Sequence, residues 1–198
     1  VRAETELTQL KIVAECLQRD DDTSPLPFRL THFSLNVWGP LNSPIIVSRI
    51  FQSSIATLTS LNLNFGYGPS SDLILPLLPL VGASLHHFTF DANFGPEDLP
   101  YFKTLTALLS LDLPSIDTIC DLRYIAEALP LPPTLHSLSF LVSNPEEDLN
   151  TLLEFPTFSE IRRFKLQEMA RTAMDEAFLQ ACEAREIQVV TLHEPVAI

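Results

Sequence analysis

Glycine is scarce in this chain, with five residues among 198. That leaves no glycine-rich loop to cradle a nucleotide phosphate. Positive charge is also short: 12 Lys and Arg stand against 25 Asp and Glu, for a formal charge of −13. A general nucleic-acid binder needs a basic field over its contact face, so that class is excluded. The longest nearly unbroken apolar run, Leu73 to Val81, is interrupted by Pro76 and Pro79. It falls far short of the roughly 20 residues that cross a bilayer, and no membrane partner is expected. Cys16, Cys120 and Cys182 are odd in number and lack paired spacing, and the N-terminal stretch has no signal-peptide apolar core. Together these favour a reduced, intracellular setting, cytoplasmic or nuclear, without a disulfide framework. Cys16 and Cys182 fall on apolar faces of predicted helices, where buried packing is their expected role.

Against these absences stands one abundance. Seven segments fit L-x-x-L-x-L with a large apolar residue in each slot: Leu30/Phe33/Leu35, Leu58/Leu61/Leu63, Leu85/Phe88/Phe90, Leu108/Leu111/Leu113, Leu135/Leu138/Phe140, Ile161/Phe164/Leu166 and Ile187/Val190/Leu192. Their first positions are separated by 28, 27, 23, 27, 26 and 26 residues. Seven matches in register make an internal repeat.

In an extended strand the fourth and sixth positions of the phrase share one face, while the third, fifth and seventh share the other. Each phrase therefore predicts a strand with one apolar and one polar face. The intervening residues suffice for two turns and a short helix. Helices are predicted over residues 43–56 (Ile46, Ile50, Phe51, Ile55 inward), 96–107 (Leu99, Phe102, Leu105, Thr106), 121–129, 146–155 and 172–186 (Met174, Phe178, Leu179, Cys182). Pro76 and Pro79 predict a short or broken helix in the second repeat. Residues 4–19 carry Leu7, Leu10, Val13 and Leu17 at helical spacing, ahead of the solvated turn Asp20-Asp21-Asp22. The expected architecture is α/β: a curved solenoid of about seven repeats, with a concave parallel sheet and convex helices. Residues 1–29 are read as an N-terminal helix, cap or partial repeat, and 30–198 as one continuous solenoid.

These phrases resemble the leucine-rich repeat family, in particular the 26–28-residue repeats of ribonuclease-inhibitor-like proteins. The resemblance covers residues 30–198 and implies a horseshoe that binds protein on its concave face. The family's Asn at the ninth position is matched only by Asn93; Trp38, Gly66, Ile116, Ser143, Met169 and Pro195 occupy that slot elsewhere. Degenerate repeats, many prolines and the closing stretch Phe178 to Val190 look like the substrate-binding part of fungal F-box proteins. That likeness implies a substrate receptor of a ubiquitin ligase. The chain opens on Val1 inside an amphipathic pattern, as expected of a fragment, and a Skp-type adaptor is a partner only if an F-box precedes Val1.

The polar face supplies the candidate binding residues. Its third positions begin with His32, Ser60, His87, Ser110, Ser137 and Arg163 and end at Val189; its fifth run Ser34, Asn62, Thr89, Asp112, Ser139, Lys165 and Thr191. Asp91 stands at a seventh position, in the column that ends at His193, and Arg162 adjoins Arg163. The first five repeats present small donors and acceptors suited to a polypeptide. Arg162, Arg163 and Lys165 form a basic spot suited to an acidic or phosphorylated segment of a protein or peptide ligand.

Catalysis finds no complete set here. His87 and Asp91 lie about 13 Å apart along a strand, too far to share a metal or a proton. Ser60 and Ser110 should flank His87, but Asp112 belongs to another row, so an orienting acid is missing. G-x-S-x-G, H-E-x-x-H and C-x-x-C are all lacking. The expectation is a non-enzymatic binding module without metal or cofactor. The alternative is a regulator or inhibitor of an enzyme or small GTPase, with Arg123 the residue near a suitable strand-to-helix junction. Self-association through exposed end strands is a third reading.

Overall fold

The computed structural model describes residues 9–14, 26–37, 45–65, 71–91, 98–114, 131–142, 149–168 and 176–193. Eight strands form one all-parallel open sheet in strict sequence order: β1 (Gln9–Ala14), β2 (His32–Val37), β3 (Ser60–Phe65), β4 (His87–Asp91), β5 (Ser110–Leu113), β6 (Ser137–Val142), β7 (Arg163–Glu168) and β8 (Gln188–His193). The chain is thus an α/β protein built by repetition.

Position by position, the first six phrases superpose through the ladder, so that Phe33, Leu61, Phe88, Leu111, Leu138 and Phe164 are successive partners. All three apolar residues of each of these phrases are at most 2% exposed. Burial of that extent contributes roughly 1.5–3 kcal/mol per side chain before the entropy of ordering is subtracted. Aromatic rings tie the sheet to the helical side. Phe33 meets Phe51 edge-on at 6.3 Å, Phe88 lies 5.5 Å from Phe102, and Phe164 lies 6.0 Å from Phe178.

Backbone bonds fix the register with a recurring device. The carbonyl at the second phrase position accepts from two consecutive N–H groups of the next repeat. Thr31 O takes Thr59 and Ser60, Thr59 O takes His86 and His87, and His86 O takes Leu109 and Ser110. Leu109 O then takes His136 and Ser137, and His136 O takes Arg162 and Arg163. A hydroxyl just before the first phrase residue adds a second tie. Thr57, Ser84 and Thr134 donate to the carbonyls of Leu30, Leu58 and Leu108 at 2.9, 2.9 and 2.8 Å. Fully buried Ser54 accepts the Leu30 N–H at 2.9 Å, which satisfies a donor that water cannot reach.

Several sequence expectations are corrected. Within 4–19, Gln9–Ala14 is a strand and not a helix, so the sheet has eight strands where seven repeats were expected. Leu7, Leu10 and Ile12 themselves spell the phrase 23 residues before Leu30. Leu10 and Ile12 pair with Phe33 and Leu35, so a partner strand overrides the helical reading of the same leucines.

The last phrase is displaced by one residue: Val189, not Val190, pairs with Phe164, and Val189 packs against the core. The cause is the preceding helix. Its end places Glu186 at φ 59° and directs the Ile187 N–H back to Cys182 O at 2.8 Å, leaving Gln188 alone to donate to Arg162 O. This is a Schellman-type helix end, with glutamate where glycine is usual.

The connecting helices are shorter than their sequence patterns. α1 spans Ile45–Ser53 and buries Val47, Ile50 and Phe51, while Ile55, expected inward, falls in the following turn at 48% exposure. The proline-interrupted segment is a single turn, α2 (Ser71–Ile74), running into a 3-10 helix at Leu75–Leu80. α3 (Leu99–Phe102) stops early because the Thr104 hydroxyl captures the Tyr101 carbonyl at 2.6 Å. α4 (Asn150–Glu154) passes into a 3-10 turn at Pro156–Phe158. α5 (Glu176–Ala184) buries Phe178 and Cys182, but Leu179 is 39% exposed instead of inward. The Arg185 guanidinium reaches across to the Leu153 carbonyl and joins the last two helices. The expected helix at 121–129, together with Met174, Cys16, Cys120 and Asp20 to Asp22, lies outside the described residues.

Two substitutions test these packing constraints. A Cβ at Gly82 would lie 2.4 Å from the Thr104 carbonyl oxygen. Gly82→Ala is expected to cost about 1–3 kcal/mol in urea unfolding, and an unchanged midpoint would refute the close approach. At Glu186 a left-handed conformation costs a non-glycine residue roughly 1–2 kcal/mol. Glu186→Gly should therefore gain about 0.5–1 kcal/mol after its extra unfolded-state entropy, whereas Glu186→Val should lose about 1 kcal/mol or more.

Candidate functional site

The face of the sheet opposite the core carries the candidate residues in two rows that run from strand to strand. One row is His32, Ser60, His87, Ser110, Ser137, Arg163. The other is Ser34, Asn62, Thr89, Asp112, Ser139, Lys165. Alternation puts these residues opposite the buried leucines and phenylalanines, so the core pattern itself aims them outward. Asp91 belongs to a third row beside Asn64, whose amide donates to its carboxylate at 2.6 Å.

Sequence reasoning missed both ends of the rows. At β1 the register adds Gln9 and Lys11, which the helical reading of 4–19 concealed; the signal was the extra phrase at Leu7, Leu10 and Ile12. At β8 the residues in the rows are Gln188 and Val190, and Leu192 pairs with Gln167 in the third, in place of the expected Val189, Thr191 and His193.

The basic spot is less uniform than its sequence suggests. Arg162 precedes β7 and stands outside both rows; its guanidinium lies 3.9 Å from the exposed Glu160 carboxylate. Arg163 Nε donates to Gln188 Oε1 at 2.8 Å, which draws it toward β8. Lys165 is half-buried and has no partner among the described residues. It stands on β7, the seventh of the eight strands.

Next to Lys165 the middle strands hold a set of polar atoms that are out of contact with water and yet unbonded. These are Asp112 Oδ1, Ser137 Oγ and Ser139 Oγ, and Ser139 is only 2% exposed. Composition gave no hint of this, since a serine on a polar face is normally solvated.

His87 has Ser60 and Ser110 as its lateral partners, and no hydrogen bond joins the three among the described residues. Burial pushes the His87 imidazole below its ordinary pKa, and the charges of His86, Lys165 and His32 lower it further. His32 instead shares a 2.8 Å hydrogen bond with the Thr31 hydroxyl. Among the described residues no three His, Cys, Asp or Glu side chains group as metal ligands, and no helix is long and apolar enough to cross a membrane. Cys182 is buried, and desolvation pushes its thiol up to about 11, so it stays protonated despite the nearby Arg185. Its place is among the buried residues of the core. Arg123, the residue on which a GTPase-directed role rested, lies outside the described residues.

Fold and surface together define a parallel α/β repeat sheet with one apolar and one polar face. No protein-family model, curated protein or solved structure matches the chain.

The depressed basicity of His87 has a measurable sign. Because the folded state binds its proton less readily than the unfolded state, stability present above pH about 6.5 is lost as pH falls through the lower folded value. An NMR titration should place the His87 midpoint below that of an ordinary histidine. Lys165→Gln should move it upward; a midpoint unmoved by that substitution would show that the two groups are uncoupled.

Proposed function

We propose that the chain is a leucine-rich-repeat solenoid whose work is protein recognition. An extended segment of a partner lies across the open sheet face, and the chain acts as the substrate-recognition region of an F-box-type ubiquitin ligase subunit. The observation that carries the binding role is the pair of polar rows, unbroken from β2 to β7, on a face that no described element covers. A flat array of hydroxyl, amide and imidazole groups at strand spacing presents donors and acceptors to a polypeptide. The ligase assignment rests on the resemblance of the repeat phrases and the closing helix and strand to fungal F-box proteins.

Charge substitution on the two sides of the sheet tests the reading. His87→Glu with Arg163→Glu alters the open face, and Glu183→Lys alters the exposed side of α5. All three side chains are exposed, so each variant should melt with the parent. Affinity capture followed by mass spectrometry should lose partners about tenfold or more with the open-face pair only. An unchanged partner list for that pair would overturn the assignment of the binding face. Capture with the full gene product that recovers no Skp-type adaptor would overturn the ligase part alone.

A further inference from the structure

A formal charge of −13 makes the chain as a whole repel anions, but its acids are unevenly placed. Within the two outward rows, β2, β3 and β4 contribute His32, Ser34, Ser60, Asn62, His87 and Thr89. None of the six is a carboxylate, and every one can donate a hydrogen bond. The nearest acids on this face, among the described residues, are Asp91, bound by the Asn64 amide at 2.6 Å, and Asp112, beside Thr89 on β5. On the other flank the register places Gln9 beside His32 and Lys11 beside Ser34.

His32 and His87 stand in one row with Ser60 between them. Two strand spacings set their backbones about 9.6 Å apart. Both histidines are exposed, as is Asn62, and Ser60 is half-buried, so a group arriving from solvent reaches this part of the face. The Thr31 hydroxyl holds His32 Nδ1 at 2.8 Å, and Nε2 is the polar atom of that ring left to meet a ligand. The local potential is positive. Burial is the largest cause of the lowered His87 basicity, and the others, from His86, Lys165 and His32, are all cationic. No acid is among them.

Negative charge placed in this row relieves the repulsion between its imidazoles. The six residues include neither Arg nor Lys, so fixed positive charge to balance a phosphate dianion is missing, whereas a carboxylate carries a single charge. A carboxylate also has two oxygens, one for each imidazole N–H, and the Ser60 hydroxyl between them can donate to either. Two charge-assisted hydrogen bonds of about 2.8 Å with a carboxylate between them cover most of the separation, and rings leaning together cover the rest. Imidazoles supply the balancing charge only when protonated, which for an ordinary histidine happens as pH falls through about 6.5.

Deepening the open-face reading, on which it rests, we propose that His32, Ser60 and His87 form a proton-gated carboxylate site. It takes an Asp or Glu side chain of an extended partner segment, and it tightens as the two imidazoles gain their protons.

Panning a displayed library of random linear dodecapeptides at about pH 6, with elution at about pH 8, tests the site. Enrichment of an acid is expected, and the selected peptides should bind about tenfold or more weaker at the higher pH. At the lower pH, His32→Gln and His87→Gln should each cost about tenfold, the scale of losing one charged hydrogen-bonding partner. His136→Gln, which alters an exposed histidine outside the row, should cost nothing. On the unaltered chain, saturating peptide should raise the NMR midpoints of His32 and His87 together; a midpoint of either that stays in place would overturn the site. Affinity retained at the higher pH, or enrichment without an acid, would overturn it as well. Peptides indifferent to His32→Gln and His87→Gln, but lost with Arg163→Glu, would refute the site and leave the open-face reading standing. Peptides indifferent to all three, but lost with Glu183→Lys, would refute both.

Discussion

The carbonyl at the second phrase position does more than close a hydrogen bond. By accepting from two consecutive N–H groups of the next repeat, Thr31, Thr59, His86, Leu109 and His136 each hold the following strand at one register and no other. A parallel ladder with a one-residue slip would carry every leucine to the wrong face. The shared carbonyl removes that freedom at the entry to each strand, before the apolar residues are placed. Hydroxyls of Thr57, Ser84 and Thr134 reinforce the same junction from the preceding turn. Core and surface rows both follow from this clamp: residues one step beyond it meet along the interior, and their alternates meet along the open face.

The last repeat shows what happens when the clamp has a competitor. The N–H of Ile187 is taken by the end of α5 through Cys182 O, so the Arg162 carbonyl receives Gln188 alone. The strand enters one residue out of step with its own phrase, and Val189 takes the place that the pattern reserves for Val190. Helix termination and sheet register draw on the same backbone donor here, and termination wins. The left-handed conformation of Glu186 is the local cost of that outcome.

The strands were legible because their signal is redundant. Six phrases, each with three residues buried to 2% or less, repeat a single message. β1 was obscured because Leu7, Leu10, Val13 and Leu17 fit helical spacing as well as Leu7, Leu10 and Ile12 fit the phrase; only the partner strand decides between them. Helix lengths were overread for a related reason. Ile55 and Leu179 satisfy a 3.6-residue period, yet Ile55 lies past the end of α1 and Leu179 looks outward. Apolar spacing names a face without saying where a helix stops, and hydroxyls such as Thr104 stop one by binding its carbonyls. On the open face the membership of both rows between β2 and β7 was legible from alternation. The isolation of Asp112, Ser137 and Ser139 was not, because it depends on what neighbouring strands place around them.

Side-chain reach accounts for that isolation. Asn64 and Asp91 carry their polar groups one carbon beyond Cβ, and they meet across two strands at 2.6 Å. Arg163 and Gln188, longer still, meet at 2.8 Å. The serine hydroxyl sits directly on Cβ, one bond nearer the backbone, and across β5 and β6 neither it nor Asp112 Oδ1 reaches the other. Ser137 Oγ, on the strand beside Ser110, is likewise without a partner. Short residues at the middle of a row flanked by longer ones leave polar atoms recessed below the level at which their neighbours pair with one another. A protein folding for stability alone would place alanine or valine at such a point, since apolar replacement removes the desolvation penalty. The polar face therefore holds two kinds of residue: those long enough to close a lateral bond, Asn64 with Asp91 and Arg163 with Gln188, and the short ones between them, whose polar atoms find no partner across the strands.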